Sequence, residues 1–182
     1  HHASSAASDV YKRQDKDKFV KKIHDSKVKI KSNYEFDIKI YESLFDNTEQ
    51  IVLSKGNIDN GMPVMVRVHV TDYFDNLFGE YGSDDASLNK SVEVIQEHER
   101  GILVLIRDSG KSIINRLITN SSYVDNKSEN EKDELRIYGM GAQILSELGV
   151  KEMILLTNTE WKFIGLEAYG IDIIETKLLS EL

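Results

Sequence analysis

The chain has 182 residues, 40% of them hydrophobic, and a formal net charge of −8. That length suits one domain with a sizeable core, and the acidic balance argues against general binding to a nucleic-acid backbone. Cysteine is absent, which removes disulfides, thiolate metal sites and thiol nucleophiles together and fits a reducing, cytoplasmic setting; no apolar run approaches the length of a membrane span.

Residues 1–14 (HHASSAASDVYKRQ) begin with paired His and show no periodicity, so they read as a tag or linker remnant. Residues 15–33 are Lys-rich with scattered apolar positions and read as a poorly anchored lead-in segment, which leaves the domain proper over 34–182. Tyr34 to Tyr41 alternates as a strand through Phe36, Ile38 and Ile40. Glu49 to Ser54 reads as a second strand, with Lys55-Gly56 as the turn after it. From Pro63 to Thr71 the period is clearest: Val64, Val66, Val68 and Val70 share one face, and Met65, Arg67, His69 and Thr71 share the other. Arg67 and His69 therefore point the same way. The pattern leaves open whether they line an ordinary exposed sheet face or a site.

Asp72 to Asp85 holds Asp72, Asp75, Asp84 and Asp85 but lacks the ligand spacing and glycine of an EF-hand, so it reads as a solvated acidic loop. A helix is expected from Ser87 to Arg100, presenting Leu88, Val92 and Ile95 and closed by Gly101. Ile102 to Ile106 is apolar throughout, as in a strand buried on both faces. The turn after it, Arg107-Asp108-Ser109-Gly110-Lys111-Ser112, is not a P-loop, because Leu105 stands where that motif needs its first glycine. It is a phosphate contact through Arg107 and Lys111, or an ordinary basic turn. The polar run 119–133 has almost no apolar content and reads as disordered.

Glu134 to Glu175 reads as a complete strand–helix–strand unit with its own leading helix. Tyr138, Ala142, Leu145 and Leu148 recur at helical spacing, and Gly149 stands at the left-handed cap. Met153 to Leu156 is a short buried strand ending at Thr157; Asn158 or Thr159 can cap the next helix, with Glu160 in its first turn. Gly170 ends that helix before a second buried strand, Ile171 to Thr176. Two buried strands around a helix imply a parallel crossover, whose strand end and helix start favour an anion beside Thr157, Asn158 and Lys162. The fold class expected is α/β, a mixed β-sheet with flanking helices.

The stretches RIYGMGAQILSELGV, LLTNTEWK, GLEAYGIDIIE, PVMVRVH and TEQIVLSKGNI together resemble GTP cyclohydrolase II, the enzyme that opens riboflavin synthesis, over about Lys31 to Leu179. The resemblance implies a homodimer in the cytoplasm and hydrolysis of the guanine ring of GTP with release of formate and pyrophosphate. It also implies, in many bacteria, a place as the C-terminal half of a protein whose other half is dihydroxybutanone phosphate synthase. The family holds zinc with three Cys, and the zinc supplies hydroxide at neutral pH. Alignment puts Asp72, Ser83 and Asp85 at those positions, a set better suited to magnesium or calcium, so the zinc site reads as lost and no cofactor is expected.

Glu134 and Arg136 fall on the family's proton-accepting Asp and nucleophilic Arg, and are the catalytic candidates. Thr157 and Lys162 fall on its phosphate-binding Thr and Lys; Arg67, His69 and Lys111 complete the substrate-binding candidates. The family's Glu-Gly-Arg here reads Ser109-Gly110-Lys111, which loses a carboxylate and a bidentate guanidinium. The resulting expectation is a degenerate cyclohydrolase domain that serves a structural or regulatory role beside a synthase domain, with GTP or a related nucleotide as ligand. Two alternatives stand beside it: a working cyclohydrolase with a non-thiolate metal on Asp72, Asp85 and His69, and a stand-alone nucleotide-binding module.

Overall fold

The computed structural model describes residues 18–31, 33–71, 84–107, 127–158 and 166–182, with side chains described from Ser87 in the first helix and from Leu135 in the second. Seven strands form one sheet: β1 (Val20–Ile30), β2 (Tyr34–Ser43), β3 (Glu49–Lys55), β4 (Val64–Thr71), β5 (Gly101–Arg107), β6 (Glu152–Thr157) and β7 (Asp172–Leu178). Two helices are described, α1 (Asp84–Glu97) between β4 and β5 and α2 (Lys127–Glu147) between β5 and β6. The lateral order is β1-β2-β3-β5-β4-β6-β7. β1, β2 and β3 are joined antiparallel, and β3 joins β5 antiparallel; β5, β4, β6 and β7 are parallel.

Both faces of the central strands are buried, as an all-parallel set covered by helices requires. On one face Val64, Val66, Ile102, Val104, Ile106, Met153 and Leu155 pack under Met140, Ile144 and Leu145 of α2. On the other, Met65, Leu103 and Leu156 pack under Val92, Val94 and Ile95 of α1. Each fully buried aliphatic side chain stabilises by roughly 1.5–3 kcal/mol, so this sandwich holds β4 and its neighbours firmly.

Several expectations change at this level. The lead-in segment is a strand: β1 pairs with β2 from Val20↔Ser43 to Ile30↔Tyr34. Its sequence hid this because nearly all of it beyond Val20 is exposed, so polar residues cost nothing there. The start of β1 is well anchored. Gln143 Oε1 accepts the N–H of Phe19 at 2.7 Å and that of Val20 at 3.1 Å, and Leu44 donates its N–H to Phe19 O at 2.9 Å.

Gly101 does not close α1 but begins β5, where a Cβ would lie 2.6 Å from Ile95 Cγ2; glycine lets the strand pass close under the helix. The helix itself runs Asp84–Glu97 rather than Ser87–Arg100. α2 starts at Lys127, inside the run read as disordered; Lys and Glu are good helix formers, so a polar sequence can still form a helix. β7, expected to be buried, is an edge strand whose residues Asp172 to Thr176 are exposed, since among the described residues β6 alone flanks it. The helix expected after Asn158 falls mostly outside the described residues, which show only a 3-10 turn at Leu166–Tyr169.

The C-terminal cap of α2 matches its sequence signal. Gly149 has φ +83°; its N–H bonds Ser146 O at 3.0 Å, and that of Val150 bonds Leu145 O at 3.1 Å, the paired bonds of a Schellman motif.

Candidate functional site

From β4 the chain passes α1 to β5 on one side and then crosses by α2 to β6 on the other, so β4 is the strand at which the winding reverses. Ligands of open α/β sheets bind beyond the carboxyl ends of the strands at such a point. The chain leaves β4 after Thr71, β5 after Arg107 and β6 after Thr157 on this one crest. The β2–β3 turn and the head of β1 lie at the same end, since Glu49 begins β3 opposite the carboxyl end of β5 and Val20 pairs with Ser43.

Arg67 and His69 are both buried, at 7% exposure each, which rules out the exposed-face alternative. They follow Met65 at strand period and so share the α1 face. A guanidinium taken out of water has to be satisfied by the protein. Arg67 Nη1 donates to Leu156 O on β6 at 3.3 Å, and Nη2 to Ser87 Oγ on α1 at 3.4 Å. Ser87 Oγ also meets the Asn158 side chain, accepting from Nδ2 at 2.8 Å and donating to Oδ1 at 3.0 Å. Arg67 thus ties the end of β4 to the first turns of α1 and to the exit of β6.

Thr157 is buried beside this group, one residue past the Leu156 that pairs with Arg67. By strand period it shares the face of Met153 and Leu155, which belongs to α2. The crest is therefore common to Arg67, His69 and Thr157, whereas the faces divide them.

A second polar group pins β5. Gln50, fully buried on β3, accepts the N–H of Arg107 on Oε1 at 2.6 Å and donates from Nε2 to Thr48 Oγ1 at 2.8 Å. Thr71 Oγ1 donates to Ile106 O at 3.3 Å.

Arg136 lies elsewhere on the same end, with its guanidinium carbon 5.0 Å from the centroid of the Phe45 ring. Phe45 sits in the β2–β3 turn, and its ring centroid is 5.4 Å from that of Phe19. Gly139, one turn along α2, admits Phe19: a Cβ there would be 3.1 Å from Phe19 Cε2. Glu134 lies within α2, but its side chain is outside the described residues, as are Lys111, Lys162, Asp72 and Ser83 and the side chain of Asp85.

Among the described residues no group of three or more His, Cys, Asp or Glu could hold a metal ion. The chain has no Cys to supply a thiolate to the zinc of the resembled family. Ser87, Gln50 and Gln143 were not singled out from sequence. A lone polar residue at a helix start or inside a strand carries no signal of the backbone group it will meet. No helix among the described residues is long and apolar enough to cross a membrane.

The family description GTP cyclohydrolase II matches residues 21–177. The riboflavin biosynthesis protein RibBA of Chlorobium phaeovibrioides is 37% identical over 154 residues, covering 78% of this chain and 37% of that protein. The monofunctional riboflavin biosynthesis protein RIBA 2, chloroplastic, of Arabidopsis thaliana is 34% identical over 142 residues, covering 76% of this chain and 30% of its own length. The chain thus spans about a third of the length of these relatives. Among solved structures, RibBX, a two-domain 3,4-dihydroxy-2-butanone 4-phosphate synthase from A. baumannii, matches with a TM-score of 0.54 and 19% identity over 92% of this chain and 43% of that one, a likeness of fold.

Proposed function

The chain belongs to the GTP cyclohydrolase II family of riboflavin biosynthesis, and from that premise we propose that it is a degenerate member, one that keeps a nucleotide-binding crest and has no zinc–thiolate ring-opening chemistry. The observation that carries this is the donor set: Asp72, Ser83 and Asp85 stand at the family's Cys positions in a chain without any Cys. A hydroxide ready at neutral pH needs a strongly polarising cation, and hard carboxylates with a serine hydroxyl favour cations that activate water less.

The remaining candidates divide by task. Thr157 and Lys162 take phosphate, with Arg67 and His69 buried on β4, the strand beside that of Thr157, and Lys111 following β5. Glu134 and Arg136 occupy the family's catalytic positions. The stacking of Arg136 on Phe45 supports a role in packing as well as in chemistry. The ligand is GTP or a related nucleotide, bound without ring opening. The domain acts as a homodimer that stabilises or regulates a dihydroxybutanone phosphate synthase domain fused or bound to it, in a cytoplasmic setting.

Formate release from GTP tests this. Purified protein supplied with zinc or with magnesium is expected to release none above a protein-free control, while GTP raises its melting temperature by mass action. Turnover that is lost in Asp85→Ala would instead establish a working cyclohydrolase with a non-thiolate metal.

A further inference from the structure

Two of the central strands separate at the crest. β4 pairs with β6 from Val64↔Met153 to Arg67↔Leu156, while its pairing with β5 runs on to Thr71↔Arg107. Beyond Arg67, β4 has no β6 partner among the described residues, and side chains take over where that ladder stops. Arg67 Nη1 donates to Leu156 O at 3.3 Å. Ser87 Oγ, closing the first turn of α1, lies 3.4 Å from Arg67 Nη2, 2.8 Å from Asn158 Nδ2 and 3.0 Å from Asn158 Oδ1. One hydroxyl therefore touches both a buried cation on β4 and the first residue past β6. Asn158 follows Thr157, whose buried side chain belongs by strand period to the α2 face of Met153 and Leu155. The peptide joining Thr157 to Asn158 is thus held from both faces of the sheet.

We propose that Ser87 is a positioning residue for phosphate recognition: its hydroxyl, set between Arg67 and Asn158, fixes the exit of β6 so that the phosphates of a nucleotide beside Thr157 meet groups already in place. The proposal rests on the nucleotide-binding reading above and adds to it a residue of α1 that need not touch the ligand. A phosphate site at a strand end is built from directional donors, and affinity is lost to any ordering they undergo on binding. Asn158 is exposed, so an amide there with no fixed partner turns in water and has to be ordered by the ligand. Serine supplies what prevents this, one hydrogen to give to Oδ1 and two lone pairs to receive Nη2 of Arg67 and Nδ2 of Asn158. A hydroxyl that accepts from a cation is also the stronger donor. Alanine in its place supplies none of these, whereas threonine keeps them all.

Calorimetric titration with GTP and with inorganic tripolyphosphate reads the effect. Ser87→Ala is expected to weaken both ligands by roughly fivefold, as for one lost neutral hydrogen bond, and Ser87→Thr to recover most of that loss. Asn158→Ala is expected to lose the same factor, and the two alanines together no more than either alone, because the pair acts as one unit. An unaltered chain that binds neither ligand overturns the nucleotide reading and this inference with it. An unaltered chain that binds both, with Ser87→Ala unchanged in affinity, overturns this inference alone and leaves Ser87 a structural tie. A loss seen with GTP but not with tripolyphosphate also overturns it, since the effect then lies with the nucleoside; so does a Ser87→Thr variant as weak as Ser87→Ala. If Ser87→Ala fails to fold, Asn158→Ala, at an exposed side chain, decides.

Discussion

Two arginines that the sequence grouped as site residues meet opposite fates. Arg67 is buried under α1 and spends its guanidinium on Leu156 O and on the Ser87–Asn158 pair, whereas Arg136 lies at the other side of the same crest, half-buried over the ring of Phe45. The difference is one of solvent. A charge inside the sheet sandwich has to be met by fixed acceptors, so its loss leaves orphaned groups; a charge over an exposed ring is still partly hydrated, and its contact adds little. The first corner is built by neighbouring parallel strands, the second by a helix against the β2–β3 turn and the head of β1.

The largest expected effect breaks the first corner. Arg67→Ala removes the donor to Leu156 O and the link to Ser87 and leaves a cavity beneath α1, and is expected to cost about 3 kcal/mol in urea unfolding. Arg67→Lys keeps the charge but not the fork, and is expected to recover part of that loss.

The second corner has one deeply buried titratable group in the same strand pair, Tyr41, 2% exposed, whose phenol is pushed up to about 12 by burial first and then by the carboxylates of Glu147 and Asp25. The folded value lies above the unfolded one. The stability this gives is therefore whole below pH 10 and drains away as pH rises from about 10 to about 12, by roughly 2–3 kcal/mol. Unfolding measured against alkaline pH is expected to show that slope, and Tyr41→Phe to flatten it.

Gln143→Leu frees the N–H groups of Phe19 and Val20, with an expected cost of about 1–2 kcal/mol. Amide exchange is expected to quicken at the head of β1 and not in β4. The smallest effect is that of Arg136→Ala, about 0.5–1 kcal/mol by chemical denaturation, because the stacked cation is only partly desolvated. An Arg136 cost equal to that of Arg67 would erase the contrast between the corners.

How much of this was legible in the sequence depends on what kind of signal each residue sends. β4, β5 and β6 were read from local period and apolar runs, and the Gly149 cap from a residue without Cβ placed after a helical stripe. β1 escapes a local reading because it is solvated, and the first turns of α2 escape it because their polar sequence carries no apolar period. The local sequence places β7 but not its burial: Ile171, Ile173 and Ile174 read as apolar whether one neighbour flanks the strand or two. At the site, Arg67, His69, Thr157 and Arg136 were singled out, but nothing in their spacing separates Arg67 from Thr157 by face or sends Arg136 to Phe45.

Sequence alone determined the family, the absence of thiolate and the central strands, because composition, motif and short-range period are properties of neighbours along the chain. Tertiary structure alone decided that Ser87 and Asn158 would hold Arg67, that Gln50 and Gln143 would cap distant backbone groups, and that β1 and β7 would be the edges. Those outcomes depend on which strands lie side by side, and lateral order is fixed by long-range burial that no local pattern encodes.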